Sequence, residues 1–242
     1  MEIIFTVLGS GSAVQFQNRA SSSYLLEFEN KKIVLDAGFW LLDRLEKISV
    51  KADQIDYIFI SHKHPDHFIG LIHLLFALKN PFYKRKKPLF LLGFKGLKKY
   101  FNEFENILGK WIKPNIELIF IEKDKYQFPG FSYTLFKSKH SKESVGITLF
   151  IGDKKIVYTS DTEYFDSIER IANNSDLAVF ECASSFKHKI RGHLSIEDIL
   201  KINRKTNIQN IILSHFYPDS LPKQKIPPNF LIANDLLSVK IN

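Results

Sequence analysis

The sequence predicts an α/β fold in which two mixed sheets pack face to face with helices outside. Two internal echoes carry that reading. The stretch Ile147–Tyr158 repeats an earlier hairpin, with Lys154-Lys155-Ile156-Val157 matching Lys31-Lys32-Ile33-Val34. Further on, Ile211-Ile212-Leu213-Ser214-His215 echoes Ile58-Phe59-Ile60-Ser61-His62, and both echoes run in the same order. Each half thus holds a hairpin, a strand ending near an Asp and a strand ending in Ser-His. Two such halves with converging strand ends form a sandwich of mixed sheets.

The elements follow in order. Residues 3–8 are a first strand, ended by Gly9-Ser10-Gly11-Ser12. That loop lacks the Lys of a phosphate-binding loop and no helix pattern follows, so it reads as a tight turn. Tyr24–Phe28 and Lys32–Leu35 make a hairpin about Glu29-Asn30, running into Asp36-Ala37-Gly38. Trp40–Ile48 is a short amphipathic helix, Ile55–Ile60 a buried strand, and Phe68–Leu78 an apolar helix. Strands are expected at 88–92, 116–122 and 133–137, with a helix at 96–108 between the first two. After the second hairpin come a helix at 163–172, a strand at 177–181 and a helix capped by Ser195 with Asp198, reaching Arg204. Ile211–Ser214 is the last strand, and Pro218–Pro228 a proline-broken loop. One domain over residues 1–242 is expected, a length that allows a large core.

Composition narrows the class. Hydrophobic residues make up 45%, and no apolar run approaches the ~20 residues of a membrane-spanning helix. The N-terminal run has no basic leader or cleavage site. A single cysteine, Cys182, precludes an internal disulfide and agrees with a reducing compartment, so a cytoplasmic location is expected. The net charge of +8 suits a polyanionic substrate, a phosphodiester or RNA, and equally suits a Lys-rich solvated surface. Its one dense cluster, Tyr83-Lys84-Arg85-Lys86-Lys87, reads as a solvated loop tip.

The chemistry concentrates in Ser61-His62-Lys63-His64-Pro65-Asp66-His67, between a strand and a helix. His62 and His64, two apart in extended chain, point the same way and can share one metal. Asp66 and His67, where the chain turns, can face a second. Imidazoles with carboxylates suit zinc, and less selectively manganese or iron. Three later residues stand at strand ends with the same chemistry: His140, Asp161 and His215. Five His and two Asp make a full set for two divalent ions.

These pieces, with Gly9-Ser10-Gly11, Leu35-Asp36-Ala37-Gly38 and Ser160-Asp161-Thr162, resemble the metallo-β-lactamase superfamily over nearly the whole chain. The resemblance implies a four-layer αββα sandwich. It also implies that His62, His64 and His140 hold one zinc, that Asp66, His67 and His215 hold the other, and that Asp161 bridges them. Asp36 would orient the site from behind. Phe180-Glu181-Cys182-Ala183-Ser184 and Gly192-His193-Leu194-Ser195 look like motifs of ribonuclease Z and related phosphodiesterases. By that likeness Glu181 and His193 assist the leaving group, with His193 outside the ligand set defined by strand ends.

Departures matter. Ribonuclease Z usually inserts a flexible, tRNA-gripping arm between the counterparts of His140 and Asp161, and here that interval is 21 residues, filled by the hairpin. Classical lactamases carry Cys where this chain has Asp161. The expected activity is therefore two-metal hydrolysis of a phosphodiester, a small molecule or RNA, with Asp66 as proton acceptor. Ribonuclease Z itself and a thioester or lactone hydrolase are the alternatives. A homodimer is compatible with this reading.

Overall fold

The structure is a computed structural model that describes residues 1–185 and 189–241. In chain order its strands are β1 (Ile3–Gly9), β2 (Ser23–Phe28), β3 (Lys31–Ala37), β4 (Tyr57–Ile60), β5 (Leu89–Gly93), β6 (Leu118–Ile121) and β7 (Lys125–Phe128). There follow β8 (Phe131–Lys137), β9 (Val145–Ile151), β10 (Lys154–Tyr158), β11 (Leu177–Glu181), β12 (Asn210–Ser214), β13 (Phe230–Ile232) and β14 (Ser238–Ile241). The helices are α1 (Leu41–Lys47), α2 (Pro65–Leu78), α3 (Leu97–Leu108), α4 (Ile168–Ala172) and α5 (Ile196–Arg204).

The strands form two seven-stranded sheets, ordered β14-β1-β2-β3-β4-β5-β6 and β7-β8-β9-β10-β11-β12-β13. In the first, pairs are antiparallel as far as β3 and parallel from β3 to β6. The second repeats the scheme, antiparallel as far as β10 and parallel from β10 to β13. The predicted sandwich of two mixed sheets with helices is therefore the fold. Parallel strands need crossovers, and α1, α2, α3, α4 and α5 lie along them.

Alternation of side chains builds the layers. Phe5, Val7, Tyr24, Leu26, Ile33, Leu35 and Phe59 share one core with Tyr133, Ile147, Leu149 and Ile156 of the second sheet. Their neighbours Leu8, Leu25, Val34, Ile58 and Ile60 join a second core with Leu41 and Leu45 of α1, Phe68 and Leu71 of α2, and Leu97 of α3. Both faces of the first sheet are thus buried, as a period of two requires when each face has a partner layer.

The hairpin echo is real: β2–β3 and β9–β10 hold equivalent places in the two sheets. The Ser-His echo is not an equivalence. The strand beside β3 is β4, which leads to Ser61-His62, but the strand beside β10 is β11, which ends at Glu181. The strand ending in Ser214, β12, lies one place further out. Apolar composition alone made two non-equivalent buried parallel strands look alike.

Other differences are local. Helix α2 begins at Pro65, three residues earlier than its apolar pattern, because Pro suits a first helical position. Helix α4 covers only Ile168–Ala172, not 163–172. Glu163 is engaged elsewhere: its amide donates to the Lys139 carbonyl, and its carboxylate accepts from the Gly192 amide and pairs with Lys139. Strands β7, β13 and β14 were not anticipated. They are edge strands of three or four residues, and β7 and β14 each bury one side chain, which is too little pattern to read. The capping box of Ser195 with Asp198 is present as predicted.

Candidate metal centre

The site lies where strands end. His62 follows β4, His64 caps α2, and Asp66 and His67 stand in the first turn of that helix, not in a free loop. His140 lies between β8 and β9, Asp161 follows β10, and His215 follows β12. Close approach of α2 to the end of β3 depends on two glycines, since a Cβ on Gly70 would meet the Gly38 carbonyl oxygen at 2.2 Å. Asp36, Ser160 and His215 adopt left-handed backbone at φ 56°, 53° and 56°. Such residues cost about 1–3 kcal/mol each and persist where surrounding contacts fix them.

Asp161 is the centre of the cluster. Its Oδ2 lies 3.7 Å from His62 Nε2, 3.7 Å from His140 Nε2 and 3.4 Å from His215 Nε2, and its Oδ1 lies 3.3 Å from His67 Nε2. The donor atoms of His62, His64, His140 and Asp161 fall within 4.8 Å of one another, as do those of Asp66, His67 and His215. The structure therefore gathers all seven residues singled out in the sequence, in the two groups expected. It also brings His193 within the same span of Asp161 and His215, closer than strand ends alone implied.

Hydrogen bonds behind the rings decide their tautomers. Asp36 accepts from His67 Nδ1 at 2.7 Å, from Ser61 Oγ at 2.7 Å and from the Tyr158 hydroxyl at 2.6 Å. Because Ser61 spends its proton on Asp36, it can only accept from His62 Nδ1, 2.9 Å away. His140 Nδ1 donates to the Gly192 carbonyl at 2.9 Å. His215 Nδ1 meets Ser22 Oγ at 2.7 Å, and Ser22 has the Gly11 carbonyl to donate to. In all four rings Nδ1 is thus engaged behind the site, which leaves Nε2, facing Asp161, as the nitrogen a metal can take. Ser22, Ser61 and Tyr158 were missed in the sequence. Two are serines in ordinary polar company and the third ends a strand of the other sheet, so no local signal marks them.

Glu181 sits behind His193. It is buried, and its Oε1 accepts from His193 Nδ1 at 3.1 Å, Thr162 N at 3.1 Å and Leu194 N at 2.8 Å, while Oε2 accepts from Ala183 N at 2.9 Å. These bonds tie Glu181 to the cluster through His193. Burial opposes charge on His193, but Glu181 prevails and raises its pKa to about 9.

The donors fit metal ions. His62 Nε2, His67 Nε2 and Asp161 Oδ1 are buried without a hydrogen-bond partner, which is costly unless a cation is their partner. Burial, aided by the neighbouring His67, holds His62 well below the ordinary histidine range. Burial also resists charge on His67, yet Asp161, Asp36 and Asp66 lift it well above that range. The pocket thus favours positive charge at its centre, which a metal supplies without protonating a ligand.

A family model described as Anti-Pycsar protein Apyc1 matches residues 2–231. The chain belongs to this family. Among curated relatives, this Apyc1-family chain is 26% identical over 279 residues to Ribonuclease Z of Borrelia hermsii (strain HS1 / DAH), covering 89% of this chain and 86% of that one. That alignment is longer than the 242-residue chain, so the relative carries insertions absent here. Of solved structures, the metallo-β-lactamase-fold protein YhfI from Bacillus subtilis superposes with a TM-score of 0.81 at 22% identity, over 99% of this chain and 100% of that one. The short form of human tRNase Z gives 0.80 at 21% identity, over 99% of both. The fold is the metallo-β-lactamase fold. No helix among the described residues is long and apolar enough to cross a membrane.

Proposed function

We propose that this chain is a metal-dependent hydrolase of phosphodiester bonds. The observation that carries the reading is Asp161, placed between two groups of nitrogen and oxygen donors, with four imidazole Nε2 atoms 3.3–3.7 Å from its carboxylate. His62, His64 and His140 would hold one divalent ion, Asp66, His67 and His215 the other, with Asp161 shared; nitrogen-rich donors favour zinc. Such a pair lowers the pKa of a water and offsets charge on phosphoryl oxygens.

The chain's own residues then divide the work. Asp66 accepts the proton of the attacking water. His193, held at Nδ1 by Glu181, turns Nε2 to the substrate and delivers a proton to the departing oxygen. Asp36, Ser61 and Ser22 keep the rings aligned. Curated relatives named Ribonuclease Z support phosphoryl chemistry, and processing of precursor tRNA is the second reading. Against it, the β9–β10 hairpin fills the 21-residue interval from His140 to Asp161, where a tRNA-gripping arm would emerge. A panel of bis(p-nitrophenyl) phosphate, cyclic nucleotides, precursor tRNA, a thioester and a β-lactam tests the assignment. Turnover confined to the thioester or the β-lactam refutes it, and accurate 3′ cleavage of tRNA selects the second reading.

A further inference from the structure

We infer that Tyr217 is a catalytic residue whose hydroxyl bonds the phosphoryl group of the substrate, an inference that rests on the phosphodiester reading above. The rings of His193 and His215 stack nearly parallel, 5.6 Å apart at 11°. Tyr217 stands edge-on to both, 6.3 Å from His193 at 71° and 6.2 Å from His215 at 75°. It thereby walls the side of the site where the proton donor and the shared carboxylate meet.

The chain places it there by alternation. His215 faces the site, Phe216 is fully buried in the core and bridges to Gly11, and Tyr217 returns to the site half-exposed. Its backbone is locked. The Tyr217 amide donates to Ser220 Oγ at 2.9 Å, and its carbonyl accepts from the Ser220 amide at 3.1 Å. The bridge between Gly11 and Phe216 also sets the Ser10–Ser12 turn beside this segment, so the ring stands against fixed neighbours on the site side. A rigid aromatic with a neutral hydroxyl suits one task that imidazoles and carboxylates here do not perform. It donates a fixed hydrogen bond to a non-bridging oxygen as negative charge gathers there in the transition state.

The test is Tyr217→Phe, which keeps the ring and removes the hydroxyl. Metal content, thermal midpoint, kcat and KM are measured on bis(p-nitrophenyl) phosphate and on a diester with an alkoxide leaving group. A fall in kcat on the order of 10²-fold is expected, the usual cost of one such donor, with little change in KM. The fall should be equal on both substrates, because a non-bridging oxygen is insensitive to the leaving group, and metals and midpoint should match the wild type. Wild-type kcat in the variant overturns the inference, as does a loss of metal or of thermal stability, which would make Tyr217 a structural anchor. If the wild type hydrolyses no diester, the phosphodiester reading fails and this inference falls with it.

Discussion

The Tyr158 hydroxyl donates to Asp36 Oδ2 across 2.6 Å, and this bond joins the two sheets directly beneath the metal centre. Asp36 lies on β3 of one sheet and Tyr158 ends β10 of the other, and both are fully or nearly fully buried. The same carboxylate oxygen holds His67 and Ser61. One carboxylate therefore links the second sheet to two of the candidate ligands, His67 directly and His62 through Ser61. Tyr158→Phe should weaken zinc binding roughly 10- to 100-fold, the usual effect of losing such a supporting contact. Competition with a chromophoric chelator measures it. Unchanged affinity would show that Asp36 needs no tether to the second sheet.

Metal stoichiometry separates shared from unshared ligands. The wild type should carry two ions per chain. His64→Ala should lose one, whereas Asp161→Ala should lose both, since its two oxygens face donors of both groups. Elemental analysis of purified protein decides, and one ion in an active wild type would refute the shared-carboxylate arrangement.

His193→Ala should keep both ions and the folded state while lowering kcat by about 10²–10⁴, the range for a positioned acid. The loss should be small for a p-nitrophenolate leaving group and large for a ribose oxygen. A fall in metal content instead would make His193 a ligand, a role its position near Asp161 and His215 also permits.

The ion pair of His193 with Glu181 has a definite pH signature. In metal-free protein the folded-state pKa, about 9, lies above the ordinary value of 6.5. The pair therefore contributes its full stability below about pH 6.5 and loses it as pH rises through 9. Glu181→Gln should bring the ring's titration, followed by NMR, down toward 6.5, because burial is then opposed only by the weaker pull of Asp161. A titration still near 9 would assign the shift to another group.

Binding of tRNA should be weak and steeply salt-dependent, carried by general phosphate contacts to a chain of net charge +8. Cleavage of small diesters should barely respond to moderate salt. Tight, salt-insensitive tRNA binding measured by filter retention would contradict this.

By itself the sequence determined the sandwich, its buried strands and all seven candidate ligands. Strand patterns come from burial of side chains at a period of two, and His and Asp at strand ends are local, readable facts. The Ser195 cap was legible for the same reason, since its partner Asp198 is three residues away. Tertiary structure decided the rest. It paired β10 with β11 rather than β12, put Glu181 behind His193, and turned the Tyr158 hydroxyl of one sheet onto Asp36 of the other. These relationships join residues 12 to 122 positions apart in chain and close only when the sheets stack. Nothing local in the sequence encodes them, because a serine or tyrosine gains its role from the distant carboxylate it meets.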